Sequence, residues 1–491
     1  MTDPASRWPD ELLDRMRYAA DPLADAAVAR IAGAWQALPQ DATRAQMEAA
    51  HGAQWERLAA ASRLFAGLQT NASLAGWPAA DPAAPDVAAA LAAFVGAARA
   101  LPPWVDAAKI ERAEELFVDH GALSCILLFC ASLPECYVIP DLSVVLNASG
   151  QLEQRTDYRI RMTAAMIFPV MMRGGLTRPD GAGVAQVLKV RLIHATIRSL
   201  ILHETPEEAV AALGALRKVK GAGVVAPHAS IAASRSMSEA MFGHGWKLGE
   251  DGLPCNQEEL AYTLLTFGYV FLRCLRRLGI GLPGVDEEAF LHCWNVAGHV
   301  LGIERDLMAD TMEESEALFT RMQARGRARP VAADPRPALG RALVATMRHS
   351  IPLALVKPFP ALMLRYLCGA RTAKDLGLRG PAATAGSALF SVTLFAARVL
   401  DRVVRLFVAD FSIARFVTRV VGYRLLTHVL MDQTRPLSLP DHLLGQIGSM
   451  TAGWGDDPKA PHWMNRLEDR LTTAGAWGVG GDSRPGPGGA P

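Results

Sequence analysis

The chain has almost no excess of charge: 50 Lys+Arg face 49 Asp+Glu over 491 residues, a formal net charge of +1. A broad basic field that grips phosphate backbones cannot be built from that balance, so nucleic acid is not an expected partner. Close-spaced cysteine pairs are missing as well. The seven cysteines, Cys125, Cys130, Cys136, Cys255, Cys274, Cys293 and Cys368, are odd in number, and no CxxC or zinc-ribbon spacing links them, which fits a reducing compartment. HExxH, CxxCH and paired ExxH motifs are all lacking, which removes the zincin, covalent-haem and di-iron readings. The start carries acidic residues from Asp3 onward and no apolar h-region, so neither a secretion signal nor a transit peptide is read there and a cytoplasmic protein is expected. Long apolar runs are scarce: the longest uncharged stretch, 380–397, contains Gly, Pro, Ser and Thr through its first half, a loop entering a helix rather than a membrane span. Residues 120–140, interrupted by Pro134, Glu135 and Pro140, read as a buried core helix.

What is present is apolar and helical. Hydrophobic residues make up 51% and charged residues 20%, with mean hydropathy +0.15, far from the composition of disordered chains. Alanine-rich stretches fill 11–100, with a break around Trp77–Pro85, and define an N-terminal helical region, 1–104. Apolar spacing of the 3.6 type then recurs over 108–133, 157–173, 184–203, 206–219, 257–278, 285–309 and 311–325, whereas alternating strand patterns are nearly absent. The expectation is an all-α fold whose central unit spans 105–330. Turn clusters fall at 175–183 and 281–287, and 331–340 reads as a hinge. C-terminal amphipathic helices are expected over 341–450. A Gly/Pro-rich tail, 475–491, is expected to be disordered. Arg398, Arg402, Arg405, Arg415 and Arg419 recur at helical steps among apolar residues. That pattern suits either a helix laid on the domain with its arginines in solvent or peripheral membrane contact.

The segment VAQVLKVRLIHATIRSLILH (184–203) is the most informative. Arg191, His194 and Arg198 stand at i−3, i and i+4, so they share one face of one helix otherwise covered by Leu and Ile. Burying two guanidinium groups is costly unless anions meet them. Flanking positive charge also favours neutral imidazole, the metal-binding form. Two readings stay open: haem b, with His194 on the iron and the arginines meeting the two propionates or ordered water beside them, or a stripe that pairs with acidic side chains elsewhere in the bundle. A second segment, DYRIRMTAAMIFPVMM (157–172), places Arg159 and Thr163 on one face beside Met166, Ile167, Phe168, Met171 and Met172, with Pro169 bending or ending the helix. These groups either line an apolar small-molecule pocket or are a surface Arg and a Thr bonded back to its own helix. Glu288 and His292 stand at i, i+4, a spacing more often a surface hydrogen bond than half a metal site. His203, His228, His244 and His299 read as ordinary structural or surface histidines.

Several of these strings together resemble the latex clearing protein/MpaB-type oxygenase family. KVRLIHATIRSLIL is similar to its haem-ligand helix and RIRMT (159–163) to its distal Arg-plus-Thr helix. GLPCNQEELAYTLLTF (252–267) matches its Gly-x-Pro-x-Asn-Gln-Glu segment, and LHCWNVAGHVLGI (291–303) its Trp-x-x-x-Gly helix, so the likeness covers roughly 105–325. It implies an all-α, globin-reminiscent core holding non-covalent haem b, with His194 as proximal metal ligand and Arg191 and Arg198 beside the cofactor. It also implies Arg159 and Thr163 as catalytic distal groups, with O2 and a hydrophobic, isoprenoid or alkene substrate. Met162 stands where the rubber-cleaving branch has a lysine, and that branch's distal glutamate has no clear counterpart, Glu135 and Asp141 lying near the region. The alternative function is a haem-binding sensor or carrier without oxygenase activity.

Overall fold

The computed structural model describes residues 4–39, 41–77, 83–148, 156–216, 224–225, 237–329, 334–349 and 357–378, with Val392. Over these residues the chain is helical, as the spacing predicts, and its one sheet is a two-residue antiparallel pair, β1 (Val224–Val225) with β2 (Trp246–Lys247). The N-terminal helices are α1 (Asp10–Met16), α2 (Pro22–Ala32), α3 (Arg44–Ala66) and α4 (Pro85–Ala98). They are followed by α5 (Ala107–Asp119), α6 (Gly121–Leu127), α7 (Leu133–Cys136), α8 (Pro140–Ala148), α9 (Thr156–Met171), α10 (Gly183–Leu202), α11 (Pro206–Leu216), α12 (Met237–Phe242) and α13 (Leu248–Asp251). The remaining described helices are α14 (Gln257–Phe267), α15 (Tyr269–Arg277), α16 (Gly284–Leu301), α17 (Met312–Ala328), α18 (Arg336–His349) and α19 (Phe359–Asp375). No single helix among the described residues is long and apolar enough to cross a membrane. The arginine-striped segment 398–420 and the tail 475–491 lie outside the described residues.

Two expected helices are broken. The 108–133 pattern turns sharply at Asp119–Gly121 and then passes through a π turn, Leu128–Ser132, immediately before α7, which carries Pro134 at its start. A proline has no N–H to give to the preceding turn, and a π turn is one way to absorb the mismatch. The 257–278 pattern divides at Gly268, which caps α14 and opens α15. Half of the expected hinge is helix, since α18 begins at Arg336.

Packing does not divide at residue 104. One hydrophobic core runs from Trp8 and Leu13 through Phe94, Ile110, Phe168, Leu188 and Trp294 to Leu364 and Leu376. Trp8, fully buried, donates its indole N–H to the carbonyl of Asp306 at 2.7 Å, which latches the start of the chain to the segment after α16.

Helix α10 packs against α9, α2, α16 and α12. The turn that delivers it, expected at 175–183, is held from both sides. Buried Glu114 on α5 accepts from the N–H groups of Gly174 (2.7 Å) and Gly175 (3.0 Å). The Asn71 amide donates to the carbonyls of Gly175 and Arg178, and its oxygen accepts from Val184 and Ala185 at the start of α10. Those N–H groups have no partner within the helix, so Asn71 satisfies donors that a buried helix end leaves orphaned.

Candidate functional site

The site is built on α10. Arg191 forms a two-pronged ion pair with Asp21, Nε to Oδ2 at 2.6 Å and Nη2 to Oδ1 at 2.8 Å, and its Nη1 donates to the carbonyl of Val300 at 3.0 Å. Arg198, 0% exposed, donates Nε to Asp25 Oδ1 at 2.8 Å and Nη1 to the carbonyl of Cys255 at 2.8 Å. Of the two readings left open for the cationic stripe, acidic partners from elsewhere in the bundle are what the arginines meet. Each nitrogen of Arg191 has a protein partner, whereas Nη2 of Arg198 is buried and without one. The physical reason is desolvation, because two buried cations demand local countercharge whether or not a ligand is present.

Asp21 and Asp25 were not singled out from the sequence. They begin α2: Asp21 is its N-cap, accepting from Ala24 N–H, Pro22 takes the first helical position, and the backbone N–H of Asp21 donates to Asp25 Oδ2 at 3.1 Å. An Asp-Pro start is a strong helix signal. The sign that was available is a second aspartate one turn further on in an otherwise Ala/Val helix that buries this face. Burial pushes the Asp25 carboxyl up to about 6, against the pull of Arg198.

Two segments of the resemblance close around these pairs. Gly302, the C-cap of α16, has φ +90°, and a Cβ there would lie 2.6 Å from Asp21 Oδ2 and 2.7 Å from Arg191 Nε. Only glycine accepts both that backbone and that neighbour. Asn256 caps α14 by accepting from Glu259 N–H at 3.0 Å, while Gln257 donates to the carbonyls of Ala20 and Gly302, each at 2.8 Å, and accepts from Glu304 N–H. The Asn-Gln pair thus ties the α14 start to the chain entering α2 and to the end of α16. In the Trp-x-x-x-Gly helix, Trp294 stacks on Phe267 with ring centroids 5.5 Å apart. A Cβ on Gly298 would meet Leu264 at 2.7 Å, so this glycine sets the close approach of α16 to α14.

His194 lies between the two ion pairs. Its ring is half-buried, its Nδ1 is enclosed without a hydrogen-bond partner, and burial together with nearby Arg198 pushes its pKa down to about 4 despite the opposing Asp21. The imidazole is therefore neutral at pH 7, the state able to donate a lone pair to a metal. Among the described residues no three His, Cys, Asp or Glu side chains converge as a metal site, so His194 would be a single protein ligand rather than a share in a protein cage. A single neutral imidazole, an enclosed Nδ1 able to take a fixed role and one spare buried guanidinium N–H2 are donor chemistry that fits haem b.

Thr163 is half-buried on α9, the helix packed along α10. The side chains of Arg159, Met162 and Asp141, together with His228, lie outside the described residues. Glu135 is committed elsewhere: 1% exposed, it pairs with Arg273 at 2.7 Å and accepts from Gln323 at 2.9 Å and Thr372 at 3.3 Å, holding α7 to α15, α17 and α19. Glu288 pairs with Lys109 across 3.9 Å, and His292 accepts from Asp106 N–H at 2.9 Å, so they form no joint site. His203 is structural, ending α10 at φ 60° with its ring stacked 3.9 Å from Phe242. All seven cysteines are buried and none is joined in a disulfide. A crevice of about 10 Å³, lined by Leu264, Gly268, Trp294 and Met308, holds at most one water and does not touch His194.

Comparison with known proteins places these features. The model of the ER-bound oxygenase mpaB/B′/rubber oxygenase catalytic domain matches residues 143–405, more than half of the chain. The rubber oxygenase of Streptomyces sp. (strain K30) is 23% identical over 253 residues, covering 50% of this chain and 51% of that protein, so the chain spans about half the length of this curated relative. A structure of latex clearing protein in the closed state superposes with a TM-score of 0.53 at 16% identity, covering 89% of this chain and 90% of the other, a likeness of fold.

Proposed function

Because the chain belongs to the family of the mpaB/B′ and rubber oxygenase catalytic domain, we propose that it is an oxygenase that holds haem b on His194 and uses O2 to oxidise a hydrophobic substrate, an isoprenoid or other alkene. The observation that carries this reading is the placement of His194: an imidazole with its enclosed Nδ1 unmatched, held between the Asp21–Arg191 and Asp25–Arg198 pairs on a central helix. Bound haem would supply the redox chemistry with O2, and the chain supplies everything else. His194 would hold the iron through the lone pair of its neutral imidazole. The Asp21–Arg191 and Asp25–Arg198 pairs remove net charge from the helix face around it, and the spare Nη2 of Arg198 remains to meet an acceptor. From α9, Thr163 and Arg159 are the polar groups proposed to orient the reacting oxygen by hydrogen bonding, among the buried apolar side chains of Ile167, Phe168, Met171 and Met172. An apolar lining excludes water and binds an alkene through surface burial alone.

The test is a visible spectrum of the purified chain after haem supplementation, beside His194→Ala. Wild type is expected to bind haem stoichiometrically and show a Soret band, and His194→Ala to lose it; equal haem content in both would overturn the assignment. Oxygen consumption with an isoprenoid alkene then separates the oxygenase from a haem carrier or sensor.

A further inference from the structure

The family-matched segment begins at residue 143, yet the carboxylates that meet the arginines on either side of His194 come from residues 21 and 25. We propose that Asp21 and Asp25 are positioning residues for His194: acting through Arg191 and Arg198, they fix the rotation and height of α10 and so make the N-terminal helices part of the site. This rests on the haem reading of His194.

The geometry favours positioning over simple cohesion. The two anchors sit three residues before and four residues after His194, so α10 cannot turn about its axis or slide along it without breaking one of them. The Asp21 anchor is bidentate, which specifies direction as well as distance. Both carboxylates belong to the first turn of one helix and are linked to each other through Asp21 N–H and Asp25 Oδ2. The far sides of the guanidinium groups are fixed too, by the carbonyls of Val300 and Cys255, and Gly302 leaves no room for the Asp21–Arg191 pair to shift. Among the described residues no protein group bonds Nδ1 of His194, so the placement of its ring depends on how α10 itself is held.

The experiment compares wild type with Asp21→Asn, Asp25→Asn and the double variant Asp25→Leu/Arg198→Met, which removes a buried pair without stranding either charge. Three quantities are read: amide exchange across 190–200 in the apoprotein, the rate of haem transfer to a scavenging apoglobin, and the iron–imidazole stretching frequency of the ferrous holoprotein. Each single variant is expected to speed exchange in α10, to release haem about 10- to 100-fold faster and to shift the stretch. In the double variant thermal stability returns toward wild type while haem release and the stretch do not. Wild-type haem kinetics and stretch in folded single variants would overturn the proposal, as would a double variant that regains stability and haem retention together, the mark of a merely structural pair. Should a single variant fail to fold, the double variant decides. If wild type itself takes up no haem, the haem reading falls, and amide exchange across 190–200 still shows whether α2 positions α10.

Discussion

Arg198, on the His194 helix, and Arg178, in the turn before it, have surroundings that predict opposite outcomes on truncation. Arg198 is fully enclosed and its charge is met by Asp25, which is itself buried. Removing the guanidinium leaves a buried carboxylate whose options are to stay charged without a partner or to take up a proton. Breaking a buried pair in this way typically costs about 3–5 kcal/mol. Arg178 lies in the turn before α10, and its contact with Asp180 at 3.3 Å is between side chains 58% and 72% exposed. Exposed pairs contribute about 0–1 kcal/mol. Arg198→Ala is therefore expected to lower the denaturant midpoint strongly and to weaken haem retention, whereas Arg178→Ala leaves both near wild type. Equal effects in urea unfolding and haem transfer would show that the Asp25–Arg198 pair does not hold α10.

At the level of elements, Gly302 ends α16 in the left-handed region against the Asp21–Arg191 pair. Gly302→Ala adds backbone strain of about 1–2 kcal/mol and presses a methyl group onto an ion pair that has no slack. A drop in thermal midpoint accompanied by faster amide exchange in α10 is expected, and a drop confined to α16 would refute the link. The sequence made much of this scaffold readable. The 3.6 spacing marks α9, α10 and α17 to within three residues and the start of α16 to within one, but it overruns the end of α16, which stops at Leu301 where 309 was expected. Its limits are instructive: the breaks at Gly268 and at the π turn before Pro134 lie inside continuous apolar patterns, and periodicity carries no information about direction changes within a buried run. His194 was visible because an imidazole between two arginines is rare on an apolar helix. The partners of those arginines were not, since Asp21 and Asp25 lie about 170 residues away along the chain and long-range pairing leaves no local spacing to read. Glu135 shows the converse: near the right region in sequence, it is locked to Arg273, Gln323 and Thr372 by the fold.

For the whole molecule, the buried titratable groups set an unusual pH profile. Burial raises Asp25 to about 6 and Glu114 to about 7, against ordinary values of 3.8 and 4.5. A folded-state value above the unfolded one means that the native state holds a proton the unfolded chain has released. The stability these two groups contribute is present below their unfolded values and is lost as pH rises through about 6 and about 7. His194 acts in the opposite sense: lowered from 6.5 to about 4, it contributes stability that is present above 6.5 and is lost as pH falls toward 4. Between pH 4 and 6 the imidazole and Asp25 therefore offset each other, Glu114 alone sets the slope from about 4.5 to 6, and both carboxyl losses are complete by about 7. The apoprotein is expected to weaken from about pH 4.5 to pH 7 and to level off above pH 7. Glu114 isolates the effect, because it lies at the turn before α10 and accepts from two backbone N–H groups. An amide at that position keeps one acceptor oxygen and cannot ionise, so Glu114→Gln should abolish the decline below pH 7 and leave the curve above pH 7 unchanged. Thermal midpoints of the apoproteins taken at half-unit steps from pH 5 to pH 8 measure this directly. A wild-type midpoint that rises across that interval, or a Glu114→Gln curve parallel to wild type, would mean that Glu114 is already ionised in the fold and that α10 is entered through a charged turn.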